Sequence, residues 1–328
     1  MRTNTDWFKD SRWGIFIHFL VVTPGAFSAS GDTGAGLTSE DWNKRVNNFD
    51  VEGLARQLES VGAKYFFITI GQNSGHYCAP NATYDKYVGI QPSKCSARDL
   101  VGDLYDALNL KGIKLLAYLT SGAPSADTVA MEKLGWEEGF KDTGCTERTG
   151  KRLTEFQMKW EEIVREWSLR WGKKVAGWWI DGCYFADEMY RHSEPPNFQS
   201  FASALKAGNP DAIVAFNPGV KVPVISHTEF EDYTAGEISE GFPVNTSYFT
   251  PPLSRWVNGA QYHILSYLSN EGWGSGQPRF PDEFVIGVTK HINSFGGVVT
   301  WDVPITDRGL IPQLFMDQLM ILNKGSGH

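Results

Sequence analysis

Short apolar runs alternate along the chain with segments in which apolar residues recur every three or four positions. Apolar runs of this length predict buried strands, and the longer spacing predicts amphipathic helices. The runs predict eight strands, at 14–19, 64–70, 114–119, 175–181, 212–217, 228–233, 263–268 and 298–303. The periodic segments predict helices at 50–61, 96–112, 153–171, 197–207, 281–295 and 312–322.

Strands that alternate with helices imply a parallel sheet with right-handed crossovers. Eight such units in 328 residues predict an α/β fold, a single-domain (β/α)8 TIM-type barrel over residues 1–324. A doubly wound open sheet is the alternative, but no Gly-rich phosphate-binding loop follows the first strand. Residues 325–328 resemble the start of an expression tag, and we predict that they form a tail outside the barrel.

The strand predicted at 175–181 ends in an acid. Its sequence, VAGWWID, is apolar up to Asp181, and Gly182 follows. A lone buried carboxylate is costly unless it becomes protonated, so we expect Asp181 where the strand reaches the surface. In a TIM barrel, catalytic residues collect at that carboxyl edge of the strands. The structural alternative is an acid that caps the next helix or turn.

Other polar and aromatic side chains follow the predicted strands and are expected at the same edge. Carboxylates with hydrogen-bond donors and aromatic rings suit glycoside hydrolysis, in which two carboxyl groups flank the scissile bond. The sequence has no HxH or HxxE pair and no GxSxG motif, so we expect neither a metal nor another cofactor. The candidates are His18, Gln72, Asn73, His76, Tyr118, Asn217, Glu231, Asp232, Asn270, Glu271, Trp273 and Asp302.

Composition and charge argue against some classes of binding partner. The net charge of -8 argues against nucleic acid and anionic membranes, and no apolar run is long enough to span a bilayer. The count of twelve tryptophans is unusual, and indole rings can stack on sugar faces, although most of the aromatic residues are expected in the core of a large barrel. The four cysteines lack CxxC spacing, which predicts neither a zinc site nor a disulfide framework. The first residues lack an apolar signal core, which leaves the compartment open, a periplasmic or secreted precursor included.

Five segments, in order, resemble the α-L-fucosidases of glycoside hydrolase family 29. WFKDSRWGIFIHF resembles the family's opening WFxxARFGIFIHWG, and SVGAKYFFITIGQNSGHY resembles AGAKYxxLTxKHHDGF. DLVGDLYDALNLKGIKLLAYL is similar to the third βα unit, GWWIDG to xWFDG, and SFGGVVTWDVPITDRGLIP to KGGNLLLNVGPxxDGxIP. The resemblance implies a (β/α)8-like barrel, a sugar substrate and a retaining mechanism without a cofactor. It places the family nucleophile at Asp181.

The sequence departs from the family in the sugar pocket. The family's HWG is HFL here and keeps only His18, and the tandem histidines fall at Gln72 and Asn73. The segment that carries the usual acid/base falls near Tyr262 and His263. The nucleophile therefore carries over, whereas the fucose pocket and the acid do not.

A second carboxyl group must then serve as acid/base, with its pKa raised by partial burial near Asp181. Glu237, in the Gly-containing loop DYTAGEISEG, is the first choice. Glu271, in SNEGWG, is the second, and Glu231 is the third.

These observations predict a retaining, exo-acting glycoside hydrolase that acts on plant, algal or host glycans. Asp181 is the expected nucleophile and Glu237 or Glu271 the acid/base. The expected substrate contacts are His18, Gln72, Asn73, His76, Trp179, Asn217, His263, Trp273 and Asp302. The alternatives are an enzyme of the same superfamily for another sugar, an inverting enzyme, a non-catalytic carbohydrate-binding barrel, and an unrelated barrel hydrolase or lyase with His263 as base. The linkage and the oligomeric state stay open.

Overall fold

The computed structural model describes residues 2–21, 34, 36–136, 152–243 and 253–326. These residues form an α/β fold in which seven parallel strands make one sheet, curled into a half-barrel. The strands are β1 Trp13–Ile17, β2 Tyr65–Thr69, β3 Lys114–Thr120, β4 Val175–Asp181, β5 Ile213–Phe216, β6 Trp256–Val257, β7 Ala260–Gln261, β8 His263–Tyr267 and β9 Val298–Asp302. The sheet order is β5-β4-β3-β2-β1-β9-β8, and β6 and β7 form a separate antiparallel pair.

Helices join most of the strands. They are α1 Asp6–Ser11, α2 Ser39–Asn47, α3 Val51–Ser60, α4 Ala82–Val88, α5 Leu100–Asn109, α6 Thr128–Leu134, α7 Thr154–Trp171, α8 Cys183–Tyr190, α9 Phe198–Leu205, α10 Asp282–Ser294 and α11 Gln313–Ser326. Within the described ranges, no helix is long and apolar enough to cross a membrane.

Acidic side chains cap the first turns of two predicted helices. The predicted cap Asp50 accepts a hydrogen bond from the Gly53 amide at 2.8 Å. The helix predicted from residue 96 begins at Leu100, because Asp99 caps it through the Gly102 amide at 2.9 Å. Such caps satisfy amide groups that the first helical turn leaves unpaired.

Among the described residues the sheet has seven strands where the sequence predicts eight, and it is not closed, although a TIM-type barrel is compatible with it. The predicted strand at 228–233 does not form. The segment 232–238 lies there instead and makes isolated backbone hydrogen bonds to both edges of the sheet. The Asp232 amide donates to the Val214 carbonyl of β5 at 2.7 Å, and the Leu265 amide of β8 donates to the Gly236 carbonyl at 2.8 Å.

The interruption has a local cause in Thr234. Its hydroxyl accepts from the His263 amide at 2.9 Å and donates to the His263 carbonyl at 2.8 Å, so a side chain occupies ladder positions. Gly236 follows with φ +62°, and a Cβ there would lie 1.9 Å from the His263 carbonyl oxygen. Neither feature is compatible with a regular strand.

Two apolar cores lie on opposite faces of the sheet, because alternate residues of a strand point to opposite sides. The larger core packs the sheet against the helices. The smaller core fills the inside of the curl and includes Phe16, Phe67, Tyr118 and Trp179. The last two of these residues therefore approach the carboxyl edge from inside the half-barrel.

Some predictions fall on residues outside those described. The loop predicted after the first strand lies mostly there, as does the second half of the irregular stretch predicted at 120–150. Residues 327 and 328 of the predicted tail also lie outside them, and α11 continues through Ser326.

A substitution at Gly14 tests the packing of the smaller core, which includes Tyr65. A Cβ on Gly14 would lie 2.3 Å from the ring of Tyr65. That ring cannot move freely, since its hydroxyl contacts the Val299 carbonyl and the Thr300 hydroxyl, each at 2.8 Å. We expect Gly14→Ala to lower the free energy of unfolding by about 1–3 kcal/mol in urea denaturation.

The matched control is Gly287→Ala in α10, where a Cβ would meet nothing within 4 Å. Alanine is the better helix former, so this variant should gain about 0.5–1 kcal/mol. Equal stability of the wild type and Gly14→Ala would contradict the close packing of Tyr65 on β1.

Candidate active site

Polar side chains from neighbouring strands meet at the carboxyl edge of the sheet. Asp181 is the last residue of β4, and it pairs in register with Thr120 of β3. Tyr118 lies two residues before Thr120, and Asn217 follows β5 directly. The parallel sheet therefore brings a carboxylate, a phenol and an amide together, as the strand-end rule predicts.

Three donors hold the Asp181 carboxylate. The Tyr118 hydroxyl donates to Oδ2 at 2.6 Å. Asn217 Nδ2 donates to Oδ1 at 2.9 Å, and the Gly182 amide donates to the same oxygen at 2.7 Å. The side chain is partly exposed, so it is both fixed in orientation and open to the cleft.

Glu237 is the second carboxyl group at this edge. Asn217 Nδ2 donates to Glu237 Oε2 at 2.6 Å and to Asp181 Oδ1 at 2.9 Å, so the two oxygens are at most about 5.5 Å apart. The carboxyl groups of retaining glycosidases are about 5–5.5 Å apart, whereas those of inverting enzymes are about 6.5–9.5 Å apart. The separation fits the first class.

The surroundings of Glu237 favour its protonated form. Burial, and after it the nearby Asp181 charge, together raise the pKa of Glu237 to about 7, while the Asn217 hydrogen bond acts in the opposite direction. A carboxyl group with a pKa near 7 can give up a proton and take it back at neutral pH. Glu237 thus has the property that an acid/base requires.

Tyr118 links Asp181 to a further amide. Its hydroxyl oxygen accepts from Gln72 Nε2 at 2.6 Å. Its ring stacks on Trp179 with centroids 5.4 Å apart, and the Trp179 indole N–H donates to the Ala235 carbonyl at 3.0 Å. Trp179 is buried and supports Tyr118 from inside the half-barrel, a different position from the sugar contact predicted for it.

His18, Asp302 and Trp273 form a second group beside this network. His18 Nδ1 lies 2.7 Å from Asp302 Oδ2, and the Gly274 amide donates to Asp302 Oδ1 at 2.7 Å. The His18 ring lies 5.7 Å from Trp273 and 6.0 Å from Tyr118, measured between centroids. An imidazole beside a half-buried indole is a surface that a sugar ring can contact.

Three other candidates lie outside this hydrogen-bond network. Glu271 is exposed in the loop after β8. The backbone carbonyl of Asn73 accepts from the Ala126 amide at 2.9 Å, and the Asn73 side chain is half-buried. His76 is buried against Trp42, and burial lowers its pKa to about 4, so the imidazole is neutral.

His263 belongs to the core. It is the first residue of β8, at the opposite end of the strand from the carboxyl edge, and it is fully buried. Its Nδ1 lies 2.9 Å from the Thr234 carbonyl and its Nε2 lies 2.7 Å from the Thr300 hydroxyl. Burial lowers its pKa to about 4. The structure gives no support to a substrate contact or a catalytic base at this position.

Glu231 is also fully buried, and one of its carboxylate oxygens accepts from the Phe216 amide of β5 at 3.4 Å. Its carboxylate accepts from the His227 amide at 2.6 Å, and burial raises its pKa to about 8. Among the described residues, no group of three or more His, Cys, Asp or Glu side chains could hold a metal ion.

Sequence reasoning missed two roles. Tyr118 stood among the strand-exit residues, but its bond to Asp181 was not foreseen; the signal was its place near the end of β3, next to the predicted nucleophile strand. Asn217 was predicted to contact substrate, yet it bridges the two carboxyl groups. No local pattern in the sequence indicates that one amide is shared in this way.

The shared amide makes a prediction for the pH profile. The hydrogen bond from Asn217 favours the ionised form of Glu237, so Asn217→Leu should raise the pKa of Glu237 above about 7. If Glu237 must be protonated for turnover, the alkaline limb of kcat/KM will move to higher pH. Asn73→Leu leaves the bridge intact and should not move that limb. An unchanged limb in Asn217→Leu would contradict the bridge.

The sequence has no match among family models, and no curated protein is detectably similar to it. Its fold, however, is similar to those of solved glycoside hydrolases. An endo-fucoidan hydrolase of glycoside hydrolase family 107 superposes with a TM-score of 0.68 at 17% identity, over 97% of this chain and 53% of that protein. The chain therefore spans about half the length of that enzyme.

In two further superpositions, this chain covers a larger share of the other protein. An α-L-fucosidase of glycoside hydrolase family 29 from Bacteroides thetaiotaomicron gives a TM-score of 0.64 at 16% identity, over 99% of this chain and 75% of that protein. A second family 107 endo-fucoidan hydrolase gives a TM-score of 0.68 at 16% identity, over 97% of this chain and 92% of that protein. The chain thus has the fold of fucosidase-type glycoside hydrolases, and the comparisons do not single out family 29.

Proposed function

We propose that this protein is a retaining glycoside hydrolase with Asp181 as nucleophile and Glu237 as acid/base. The observation that carries the proposal is the pair of carboxyl groups bridged by Asn217, with oxygens at most about 5.5 Å apart. A retaining mechanism needs that separation, together with one ionised and one protonated carboxyl group. The burial of Glu237 beside Asp181 supports the second condition.

The reaction proceeds in two steps. In the first, an Asp181 carboxylate oxygen forms a bond to the anomeric carbon, the glycosidic bond breaks, and Glu237 gives its proton to the leaving oxygen. In the second, Glu237 takes a proton from water, the water oxygen attacks the anomeric carbon, and Asp181 leaves as a carboxylate. The net reaction is hydrolysis with retained configuration.

We assign the sugar-binding role to the group next to the nucleophile. His18, held by Asp302, offers a hydrogen bond to a sugar hydroxyl, and the half-buried Trp273 offers an apolar face. Asn73, at the position of one of the family histidines, lies on the loop after β2. An exo-acting α-L-fucosidase is the first specificity to test, because the fold neighbours are fucosidases and fucoidan hydrolases.

A panel of substrates tests the proposal. It contains 4-nitrophenyl glycosides, α-L-fucoside among them, and fucoidan oligosaccharides with a free reducing end. Turnover of the fucoside would support the exo-acting fucosidase, and internal cleavage of the oligosaccharides would replace it by an endo-acting enzyme. Turnover of a different glycoside would keep the mechanism and change the sugar. A protein that binds these sugars in calorimetry but hydrolyses none of them would overturn the proposal in favour of a carbohydrate-binding barrel.

A further inference from the structure

Gln72 donates to the Tyr118 hydroxyl, which in turn donates to Asp181. Its side-chain nitrogen lies 2.6 Å from the Tyr118 oxygen, which in turn lies 2.6 Å from Asp181 Oδ2. A phenol has a single proton to donate, and an ionised carboxylate can only accept. Because an amide N–H already points at the phenol oxygen, the phenol proton is left for Asp181.

The orientation of the Gln72 amide therefore matters. With the amide turned round, its carbonyl oxygen would compete with Asp181 for the Tyr118 proton. The carbonyl oxygen is buried, and none of the described residues hydrogen-bonds to it. The amide thus presents a donor to Tyr118 and keeps its acceptor away from that proton.

Tyr118 itself has little freedom. It is buried, its ring stacks on Trp179, and the edge of its ring meets Phe16 at 5.7 Å between centroids. Burial, with the Asp181 charge as the next cause, holds the pKa of Tyr118 well above its usual value, so the hydroxyl keeps its proton. Because the hydroxyl keeps its proton, the neighbour that accepts the proton decides its direction.

We propose that Gln72 is a positioning residue that commits the Tyr118 proton to Asp181. This inference rests on the proposed role of Asp181 as nucleophile. When Asp181 leaves the anomeric carbon in the second step, negative charge returns to its oxygens, and a committed hydroxyl donor stabilises that charge. Gln72 acts through Tyr118, so its loss should lower kcat, whereas the loss of a direct substrate contact should raise KM.

Kinetics of a double-mutant cycle test the proposal on whichever glycoside of the panel is turned over. Tyr118→Phe should lower kcat about ten- to a hundred-fold, the range for a hydrogen bond to a charged group. Gln72→Leu should cause a smaller loss of about three- to ten-fold. Gln72→Glu, of matched shape but able to accept the phenol proton, should lose about as much as Tyr118→Phe.

In the Tyr118→Phe background, neither Gln72 substitution should lower kcat further, because the residue through which Gln72 acts has lost its hydroxyl. If a Gln72 substitution lowers kcat as much in Tyr118→Phe as in the wild type, or changes KM alone, the proposal is overturned and Gln72 is a direct substrate contact. Thermal unfolding of each variant verifies that the fold is retained.

A second measurement needs no substrate. The Tyr118 hydroxyl proton should give a downfield proton resonance in the wild-type protein in water, assigned by its loss in Tyr118→Phe. It should move or broaden away in Gln72→Leu and in Gln72→Glu. A wild-type protein without this resonance, or the same resonance in both Gln72 variants, would overturn the inference while leaving the proposed function standing. Turnover that does not depend on Asp181 would instead overturn the proposed function.

Discussion

Asp181→Asn is expected to remove glycosidase turnover while the protein stays folded. An amide cannot form the glycosyl ester, so kcat/KM should fall on the order of 10⁴-fold or more, as for other nucleophile replacements. The fold should persist because Asp181 is partly exposed at the strand end and Asn has the same shape. The measurements are kcat/KM on the best glycoside of the panel and the melting temperature.

Asp211→Asn is the matched control, because Asp211 is an exposed acid just before β5, at the opposite edge of the sheet. It should keep wild-type activity. Asp181→Gly should regain turnover of an activated glycoside when azide is added, since a small anion can replace the missing carboxylate. Wild-type turnover in Asp181→Asn would contradict the nucleophile assignment.

The second large effect is expected from Glu237→Gln, and it should depend on the leaving group. A glycoside with a poor leaving group needs the proton and should lose about 10²- to 10⁴-fold in kcat/KM. A glycoside with a strongly acidic phenol as leaving group needs little protonation and should lose much less in the first step. The comparison is made by steady-state kinetics with both kinds of substrate.

The pH profile gives the sign of this effect. Glu237 must be protonated to act as acid, and burial raises its pKa to about 7. Wild-type kcat/KM should therefore fall as the pH rises through about 7, and this alkaline limb should be absent in Glu237→Gln. Glu271→Gln, a change at an exposed acid, should keep both the limb and the rate. If the alkaline limb is lost in Glu271→Gln and kept in Glu237→Gln, the acid/base is Glu271.

The strands were the most predictable part of the fold. Seven of the eight predicted strands match strands of the sheet to within two residues at either end, because buried parallel strands are continuous apolar runs. The eighth was predicted at 228–233, but the segment that bonds to both edges of the sheet is 232–238, where Thr234 and Gly236 interrupt the ladder through a side-chain hydrogen bond and a positive φ. Such tertiary effects leave no periodic signature in the sequence.

The site was predictable where chemistry and position coincide. The place of Asp181 at the carboxyl edge could be predicted because an acid that ends an apolar strand must reach a surface, and the place of Glu237 near it because a Gly-containing loop follows at that point of the chain. Their catalytic roles stay predictions. The prediction for His263 placed a polar residue of an apolar strand at the site. His263 is the first residue of β8, so it lies at the end of the strand opposite the carboxyl edge, where it is buried. The bridge through Asn217 depends on distances between separate strands, which no spacing along the chain encodes.

The most direct measurement of the central claim is covalent trapping of the nucleophile. The protein is incubated with the 2-deoxy-2-fluoro glycosyl fluoride of the sugar that the panel identifies, and the labelled peptide is sequenced by mass spectrometry. We predict one glycosyl group per chain, attached to Asp181, and no label in Asp181→Asn. A label on another residue, or turnover to a product of inverted configuration without any label, would contradict the account.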